Sequence, residues 1–282
     1  ADGFASTAAK KEGWDATTSF RVEDFTGHPV VRSAQRGRVD EDAWSRMQAA
    51  RASISRQLDL GRLTVRLAGF DERRGNGTPL ARNQGDGYDW SLEIENENTR
   101  TVLFGQERDF SSVFPKVAVG RASESIALDQ YMVPAKSLGL AHQRAWENEG
   151  REFTFSMIAI SREGHTHEEN KFSGAFRRAG GRQAQVGASI TSSWQPLESW
   201  FLTTRLRGDW FRDYHGMRSG WTPTDESFPS REKFAAGGSL EMAKELSENL
   251  DARATVGSHV RQPTLNELYR PYRVGDFSVD AN

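Results

Sequence analysis

The sequence comprises 282 residues, enough for one large domain or two of ordinary size. Its 37 Lys and Arg residues are balanced by 39 Asp and Glu residues, so the formal net charge of -2 gives no broad basic field, and we expect no nucleic-acid partner. Aromatic residues make up 10% of the chain, too many for a disordered protein. No apolar run approaches the roughly 20 residues of a membrane-spanning helix, which excludes a helical membrane protein but not a membrane β-barrel, in which only alternate residues face lipid.

The sequence contains no cysteine, which excludes disulfide frameworks, thiolate metal sites and cysteine nucleophiles. The first residues, Ala1–Ala5, lack both the basic and the apolar region of a secretory signal. We therefore expect either a cytosolic protein or a chain that begins partway through a longer one.

Along the chain, apolar and polar residues alternate with a period of two, which indicates β-strands. Between Leu250 and Val260, for example, the apolar residues share one parity while Asp251, Arg253 and His259 share the other. The pattern predicts about eleven antiparallel strands, most of them near the roughly 9 to 11 residues that cross a bilayer at a tilt. They are Trp14–Val22, Ala50–Leu60, Arg62–Phe70, Tyr88–Ile94, Thr99–Gln106, Ser137–Trp146, Arg151–Ser161, Arg182–Trp194, Trp200–Trp210, Lys233–Ala243 and Leu250–Val260.

Two kinds of connection alternate between these strands. Short polar turns are predicted at Asp59–Arg62, Asn96–Thr99, Glu147–Gly150, Gln195–Ser199 and Lys244–Asn249. Long charged loops are predicted at Glu23–Ala49, Asp71–Gly87, Glu107–Lys136, Arg162–Gly181 and Arg212–Glu232. A meander with its short turns at one end and its long loops at the other is typical of an outer-membrane barrel. Trp146, Trp194 and Trp200 lie beside short turns, where an interfacial aromatic girdle is expected.

A soluble β-sandwich, solenoid or propeller also has alternating strands with one wet face. The alternative function is that of a soluble or surface-attached carbohydrate-binding β-protein, which would bind polysaccharide through Trp44 or Trp221 and would stay monomeric without detergent. Strands of ten or more residues exceed the usual five or six of globular sheets, and this favours the barrel.

One C-terminal segment carries a family resemblance. The residues from Arg261 to Gly275 read RQPTLNELYRPYRVG, and they resemble the R-x-P-T-L-N-E-L-Y-R-P-F-R-V-G segment in the barrel of TonB-dependent receptors, the outer-membrane active transporters of Gram-negative bacteria. Weaker similarities lie at Phe70–Leu80, Phe110–Phe114 and Gln35–Asp40. The segment departs from the family at Gln262, where Ala is usual, and an aromatic residue usually stands at the position of Val260.

The resemblance implies an all-β fold, an antiparallel up-and-down transmembrane barrel of which this chain supplies about eleven of about 22 strands. Residues 1–282 would all belong to the barrel domain. The family's plug domain and C-terminal strands are missing, and the chain stops at Asp280–Asn282 inside an expected extracellular loop. Exposed sheet edges are then expected at Trp14–Val22 and Leu250–Val260.

The same resemblance implies a function in the outer membrane. The parent receptor would take up a scarce ligand, namely an iron-siderophore complex, cobalamin or a saccharide. Its partners would be outer-membrane lipid, the plug domain, the TonB complex acting through that plug, and the small-molecule ligand such as a metal chelate. The chain alone is not expected to transport, and the resembling segment argues against a passive porin or adhesin.

Candidate ligand-binding or plug-facing residues lie in two places. Arg205, Arg207, Arg253 and His259, with Asp209 and Asp251, would line the lumen, although they equally suit the wet face of any sheet. Arg261, Asn266, Glu267, Tyr269 and Arg270 would lie at the extracellular rim and contact a ligand, the plug or one another. We favour structural packing for this second group.

No catalytic or cofactor site is predicted. His165 and His167, next to Glu168, could hold a metal together with a carboxylate, but no third ligand is convincingly spaced and a solvated loop is the simpler interpretation. The glycines at Gly75, Gly77, Gly85 and Gly87 mark turns rather than a phosphate loop. We therefore expect neither an enzyme, nor a bound metal, nor a cofactor.

Overall fold

Antiparallel strands form almost the whole chain in the computed structural model, which describes residues 2–274 and 277–279. Fourteen strands make one sheet, and two short ones make a separate hairpin. The strands of the large sheet are β1 (Asp2–Lys11), β2 (Trp14–Phe25), β3 (Trp44–Leu58), β4 (Gly61–Gly75), β5 (Arg82–Glu95), β6 (Thr99–Val117), β7 (Glu124–Met132), β8 (Ala135–Asn148), β9 (Arg151–Asn170), β10 (Ala175–Leu197), β11 (Trp200–Ser219), β12 (Glu226–Phe228), β13 (Arg231–Ser247) and β14 (Leu250–Ser258). The remaining elements are 3-10 turns at Ser33–Gln35 and Val119–Arg121, helix α1 (Leu265–Tyr269), β15 (Tyr272–Val274) and β16 (Phe277–Val279). Among the described residues, no helix is long and apolar enough to cross a bilayer.

The large sheet is an up-and-down meander, as predicted, and every pairing in it is antiparallel. β7 and β8 lie end to end between β6 and β9, separated by Val133 and Pro134. Proline cannot donate a ladder hydrogen bond, which accounts for the break at this point. The sheet does not close on itself, so β1 and β14 are its edges, and the total of 22 strands for the parent barrel stays a prediction.

The prediction of an edge at Trp14–Val22 is wrong, because β1 pairs with β2 from Asp2 opposite Glu23 to Lys11 opposite Trp14. The sequence of β1 has small and apolar residues on both parities, so its alternation is too weak to predict a strand. The edge predicted at Leu250–Val260 is confirmed as β14.

Most of the predicted long loops are strands that continue beyond the apolar band. The segment predicted as a loop at Asp71–Gly87 is strand up to Gly75 and again from Arg82, and the Arg162–Gly181 loop is a hairpin with a turn near Lys171. Polar residues occupy both faces of these extensions, so hydrophobic alternation fades although the backbone ladder continues. The five predicted short turns are confirmed.

The two faces of the sheet differ as the alternation predicts. Leu206 and Val256 share the outer, apolar face and are 68% and 69% exposed, whereas Arg205 and Arg207 belong to the opposite, inner face. At the short-turn end of the apolar face, cations lie over tryptophan rings: Arg56 over Trp14, Arg151 over Trp194 and Lys244 over Trp200, each about 5 Å from the ring centroid. At the other end, a row of paired polar residues marks the limit of the band: Tyr88, Glu107, Lys136, Glu163 and Arg182.

Candidate functional site: a segment docked on the inner wall

The segment after β14 folds back against the polar, inner face of the sheet. A capping box begins its helix α1, because the Thr264 backbone N–H donates to Glu267 Oε2 at 2.7 Å and the Glu267 N–H donates to Thr264 Oγ1 at 3.3 Å. Pro263 precedes this box, and its missing N–H keeps the chain out of the β-ladder. The sequence thus stops the sheet and starts a single helical turn.

Tyr269 anchors this turn in a notch made by two glycines. A Cβ atom on Gly181 or Gly216 would lie 2.9 Å or 2.3 Å from the Tyr269 ring, so only glycine leaves room for the ring at these positions. Tyr269 is 4% exposed, and its ring centroid lies 5.2 Å from that of Phe228. Burial raises the pKa of the Tyr269 hydroxyl, which therefore stays neutral.

Polar side chains fix the segment to three neighbouring strands. Arg270 donates from Nη2 and Nε to Glu168 Oε2 of β9 at 2.6 and 2.9 Å, and the Glu168 side chain is only 2% exposed. On the same strand β9, the Thr166 hydroxyl donates a hydrogen bond to Asn266 Oδ1 at 3.0 Å. Further anchors come from β10 and β11, where Gln183 Nε2 donates to Pro263 O at 2.8 Å and Gln262 Nε2 donates to Asp213 Oδ1 at 3.0 Å.

The structure therefore separates the residues predicted at the rim into two groups. Asn266, Tyr269 and Arg270 are engaged with the wall, whereas Arg261 and Glu267 form an exposed bidentate pair with both N–O distances at 2.8 Å. The Arg261 guanidinium and the Thr264 backbone lower the pKa of Glu267 to about 2. A direct contact of these rim residues with a ligand or a plug stays a prediction. Gly275 and Asp280–Asn282 lie outside the described residues.

The residues predicted to line the lumen share the inner face but form no single cluster. Arg207 donates to Asp209 at 2.6 Å through both Nε and Nη2. Arg205 donates to Thr191 Oγ1 at 3.1 Å, and Arg253 lies 3.3 Å from Glu241. His259 is exposed just beyond the end of β14. The wall thus offers a hydrated surface of mixed charge, and a contact of these residues with a plug or a ligand stays a prediction.

Sequence reasoning missed the buried partner of Arg270. Glu168 entered the prediction only through a metal site with His165 and His167, yet strand alternation places both imidazoles on the outer face, away from the Glu168 carboxylate. The two rings lie 6.4 Å apart, and no group of three or more His, Asp or Glu residues that could hold a metal occurs in the described part of the chain. Extending the alternation of β9 upward would have placed Thr166 and Glu168 on the inner parity.

Three upper loops hold one another at the far end of the sheet. Arg121, between β6 and β7, donates from Nε to both carboxylate oxygens of Asp40 at 2.8 and 2.7 Å, and Gly37 N–H donates to Asp40 at 2.7 Å. The Arg121 hydrogen bonds lower the pKa of Asp40. The backbone N–H of Glu41 donates to Gly77 O at 3.1 Å, which joins the loop between β4 and β5 to the same assembly.

No known family model matches this sequence, and no curated protein does either. Solved structures do match its fold. The copper transporter OprC matches at a TM-score of 0.67 and 11% identity, over 96% of this chain and 46% of OprC. The closed form of the ferric-catecholate import receptor Fiu from E. coli K12 matches at 0.64 and 8% identity, over 89% of this chain and 48% of Fiu. The ferric yersiniabactin uptake receptor FyuA from Yersinia pestis matches at a TM-score of 0.62 and 11% identity, over 90% of this chain and 44% of FyuA.

These neighbours are TonB-dependent outer-membrane receptors. This chain has the fold of a TonB-dependent receptor barrel. It spans about half the length of the receptors it matches, which agrees with a partial barrel. The matched proteins are transport receptors rather than enzymes.

Proposed function

We propose that the chain supplies about half the barrel wall of an outer-membrane receptor that imports a scarce ligand with energy delivered through TonB. The observation that carries the proposal is the division of one sheet into an uncovered apolar face and a polar inner wall. An uncovered apolar face that extends over many strands is unfavourable in water and stable against hydrocarbon. The fold of the solved receptors supports the same assignment.

The ligand we propose is a metal chelate of the iron-siderophore type or a cobalamin-type molecule. The matched receptors import ferric yersiniabactin and ferric catecholates, and OprC is a copper transporter. A plug domain elsewhere in the longer protein would fill the lumen and transmit the TonB signal. Arg205, Arg207, Arg253 and His259 would then face the plug or the path of the ligand.

Within the docked segment, we propose different roles for the two groups of residues. Asn266, Tyr269 and Arg270 keep the segment against the wall through their contacts with β9 and β11. Arg261 and Glu267 are exposed and therefore accessible to a plug or a ligand. The segment would act as a brace whose outer surface contributes to the lumen.

The carbohydrate-binding alternative is not favoured by the matched structures. Both tryptophans proposed as sugar platforms also have a cation over the ring. The Arg46 guanidinium lies 5.5 Å from the Trp44 centroid, and that of Arg177 lies 5.4 Å from the Trp221 centroid. A sugar ring would have to compete with these contacts for the same aromatic surface.

Spin labels test the proposed function directly. Because the chain has no cysteine, a single introduced cysteine carries the only spin label. The labelled positions are Leu206 and Val256 on the outer face and Arg205 and Arg253 on the inner wall, each in a separate protein refolded into lipid vesicles. We expect the outer labels to be relaxed by dissolved oxygen and the inner labels by a water-soluble nickel complex. Equal access of the nickel complex to both sets would overturn the membrane assignment.

The isolated chain itself is proposed not to transport. Its edges β1 and β14 leave backbone groups unpaired, and no complete pore can form from an open sheet. Liposomes that contain the chain should show no saturable uptake of a ferric siderophore. Saturable uptake would show that half a barrel suffices.

A further inference from the structure

A cavity of about 530 Å³ lies between the docked segment and the inner faces of β6 and β8 to β11. Its floor follows one row of the sheet, in which Gln106 lies opposite Ser137, Ser137 opposite Arg162, and Arg162 opposite Gln183. Side chains that lie directly opposite on one face have Cβ atoms roughly 5 Å apart. The residues of this row therefore reach a common space, and the segment from Val260 to Asn266 forms its other side.

Arg162 is a half-buried cation without a carboxylate partner among the described residues. Its one hydrogen bond runs from Nη1 to the neutral amide oxygen of Gln185 at 3.3 Å. Other partly covered inner-wall arginines have acids, as Arg207 has Asp209 and Arg177 has Glu168. Arg51 and Arg205 also lack acids within the described chain, but both are exposed and remain hydrated.

Three residues that line this cavity also have a buried polar atom without a hydrogen bond: Ser137 Oγ, Gln262 Oε1 and His165 Nδ1. Strand alternation assigns the His165 ring to the outer face, whereas Ser137 belongs to the inner row and Gln262 to the docked segment. The nearest acid along the same row, Asp213, already accepts from Gln183 and Gln262. Buried polar groups normally find partners, so a cation, a hydroxyl and an amide oxygen left open around one cavity indicate a ligand that supplies the missing groups.

We propose that this cavity binds the carboxylate group of a small organic acid. The planar guanidinium fork of Arg162 matches the two oxygens of a carboxylate, and Ser137 is placed to donate to one of them. A single cation balances a single negative charge, whereas a phosphate dianion would leave an uncompensated charge in a half-buried site. Gln262 Oε1 accepts a hydrogen bond from a hydroxyl or N–H group next to the carboxylate.

The size of the cavity favours a free molecule over an acidic side chain from another segment of polypeptide. Its volume falls in the range of roughly 300 to 1,000 Å³ that is typical of small-molecule sites. The inference deepens the proposed function, and it rests on that function for the position of the cavity along an import path. Binding itself requires no transport, so it can be measured without a membrane.

The test uses the full chain refolded in detergent micelles, with ¹⁵N-labelled arginine side chains observed by NMR. Sodium lactate, which carries a carboxylate and a hydroxyl, is titrated at constant ionic strength against methyl lactate and sodium methylphosphonate. We expect a saturable shift of the Arg162 Nε–H signal with lactate only. No saturable shift with lactate, or tighter binding of methylphosphonate, would overturn the proposal.

Variants sharpen this test. Ser137→Ala should weaken lactate binding about tenfold, the effect of losing one hydrogen bond to a charged group. Arg162→Gln removes the cation and should abolish lactate binding, and Arg162→Lys keeps the charge but loses the fork and should weaken binding, which covers the case that Arg162→Gln fails to fold. Because neither variant retains the Arg162 signal, their lactate binding is measured by isothermal titration calorimetry against the unsubstituted chain. Gln262→Ala should weaken lactate but not acetate, which has no hydroxyl. Arg51→Gln, an exposed inner-wall control, should change nothing, and equal effects of Arg51→Gln and Arg162→Lys would contradict a defined site.

This result is separable from the test of the proposed function. If lactate binds while the spin labels show no lipid-facing surface, the site stands and the receptor assignment fails. If the labels show a lipid-facing surface while no carboxylate binds, the receptor assignment stands and the cavity has another purpose.

Discussion

The lower and upper parts of the sheet are stabilised in different ways. In the lower part, outward residues such as Leu206 and Val256 are mostly exposed, and so are inward residues such as Arg205. In the upper part, Arg270, Tyr269 and Asn266 are fixed by individual contacts to buried groups. The lower part therefore depends on which solvent meets each face, and the upper part depends on matched pairs of residues.

This difference predicts which substitutions each part tolerates. Any apolar residue of suitable size fits the outer face of the lower part, because hydrocarbon makes no geometric demand. The upper part needs the Glu168 carboxylate, because Arg270 would otherwise lose its ion pair. It also needs glycine at Gly216, because a side chain there would displace the Tyr269 ring.

The largest expected effect comes from Glu168→Gln. Loss of the buried charge leaves Arg270 without its partner, and breaking a buried pair in this way costs about 3 to 5 kcal/mol. We expect the docked segment to detach, with a matching fall in the free energy of unfolding in urea and faster hydrogen exchange at Leu268. The control is Glu169→Gln, whose Lys171 pair lies on the other face and should contribute about 0 to 1 kcal/mol. Equal losses in the two variants would contradict the bracing role of Glu168.

The next effect tests the solvent-determined lower part. Leu206→Arg places a charge toward hydrocarbon and should destabilise the protein in lipid vesicles by about 2 to 4 kcal/mol, measured by urea unfolding. Thr203→Arg, on the same strand but facing Glu241 across the inner wall, should cost little. The difference in stability between Leu206→Arg and Thr203→Arg should vanish in buffer without lipid or detergent. If the difference persisted there, it would argue for a soluble sheet.

The smallest expected effect is a pH dependence of the docked segment. The folded pKa of Glu267 is about 2, below its ordinary value of 4.5, so the Arg261–Glu267 contact stabilises the segment fully above about pH 4.5 and is lost as the pH falls toward about 2. The amide NMR signal of Glu267 should report this change. Glu168 and Asp213 also accept hydrogen bonds from the segment, so the Glu267 contribution is the difference from Glu267→Gln, and an identical pH profile in that variant would refute it.

Sequence reasoning predicted the lower part well, because its apolar and polar residues alternate when one face of a strand meets hydrocarbon and the other meets water. The residues from Trp200 to Trp210 alternate clearly, and β11 has the predicted faces. Alternation failed where polar residues occupy both faces, as in Arg162–Gly181, and where residues are small, as in β1. The resembling segment indicated a docked structure, yet no local pattern identifies Glu168 as the partner of Arg270, 102 residues later in the chain.

This sequence separation has a consequence for the order of assembly. The hairpins of β9, β10 and β11 join neighbouring stretches of chain, so they close small loops and form early. The Thr166–Asn266 contact spans 100 residues, and its partners come together only after β13 and β14 have taken their places. We therefore expect docking to be the last event in the assembly of this part of the wall, and a chain truncated before Thr264 should form the strands without the contacts of the docked segment.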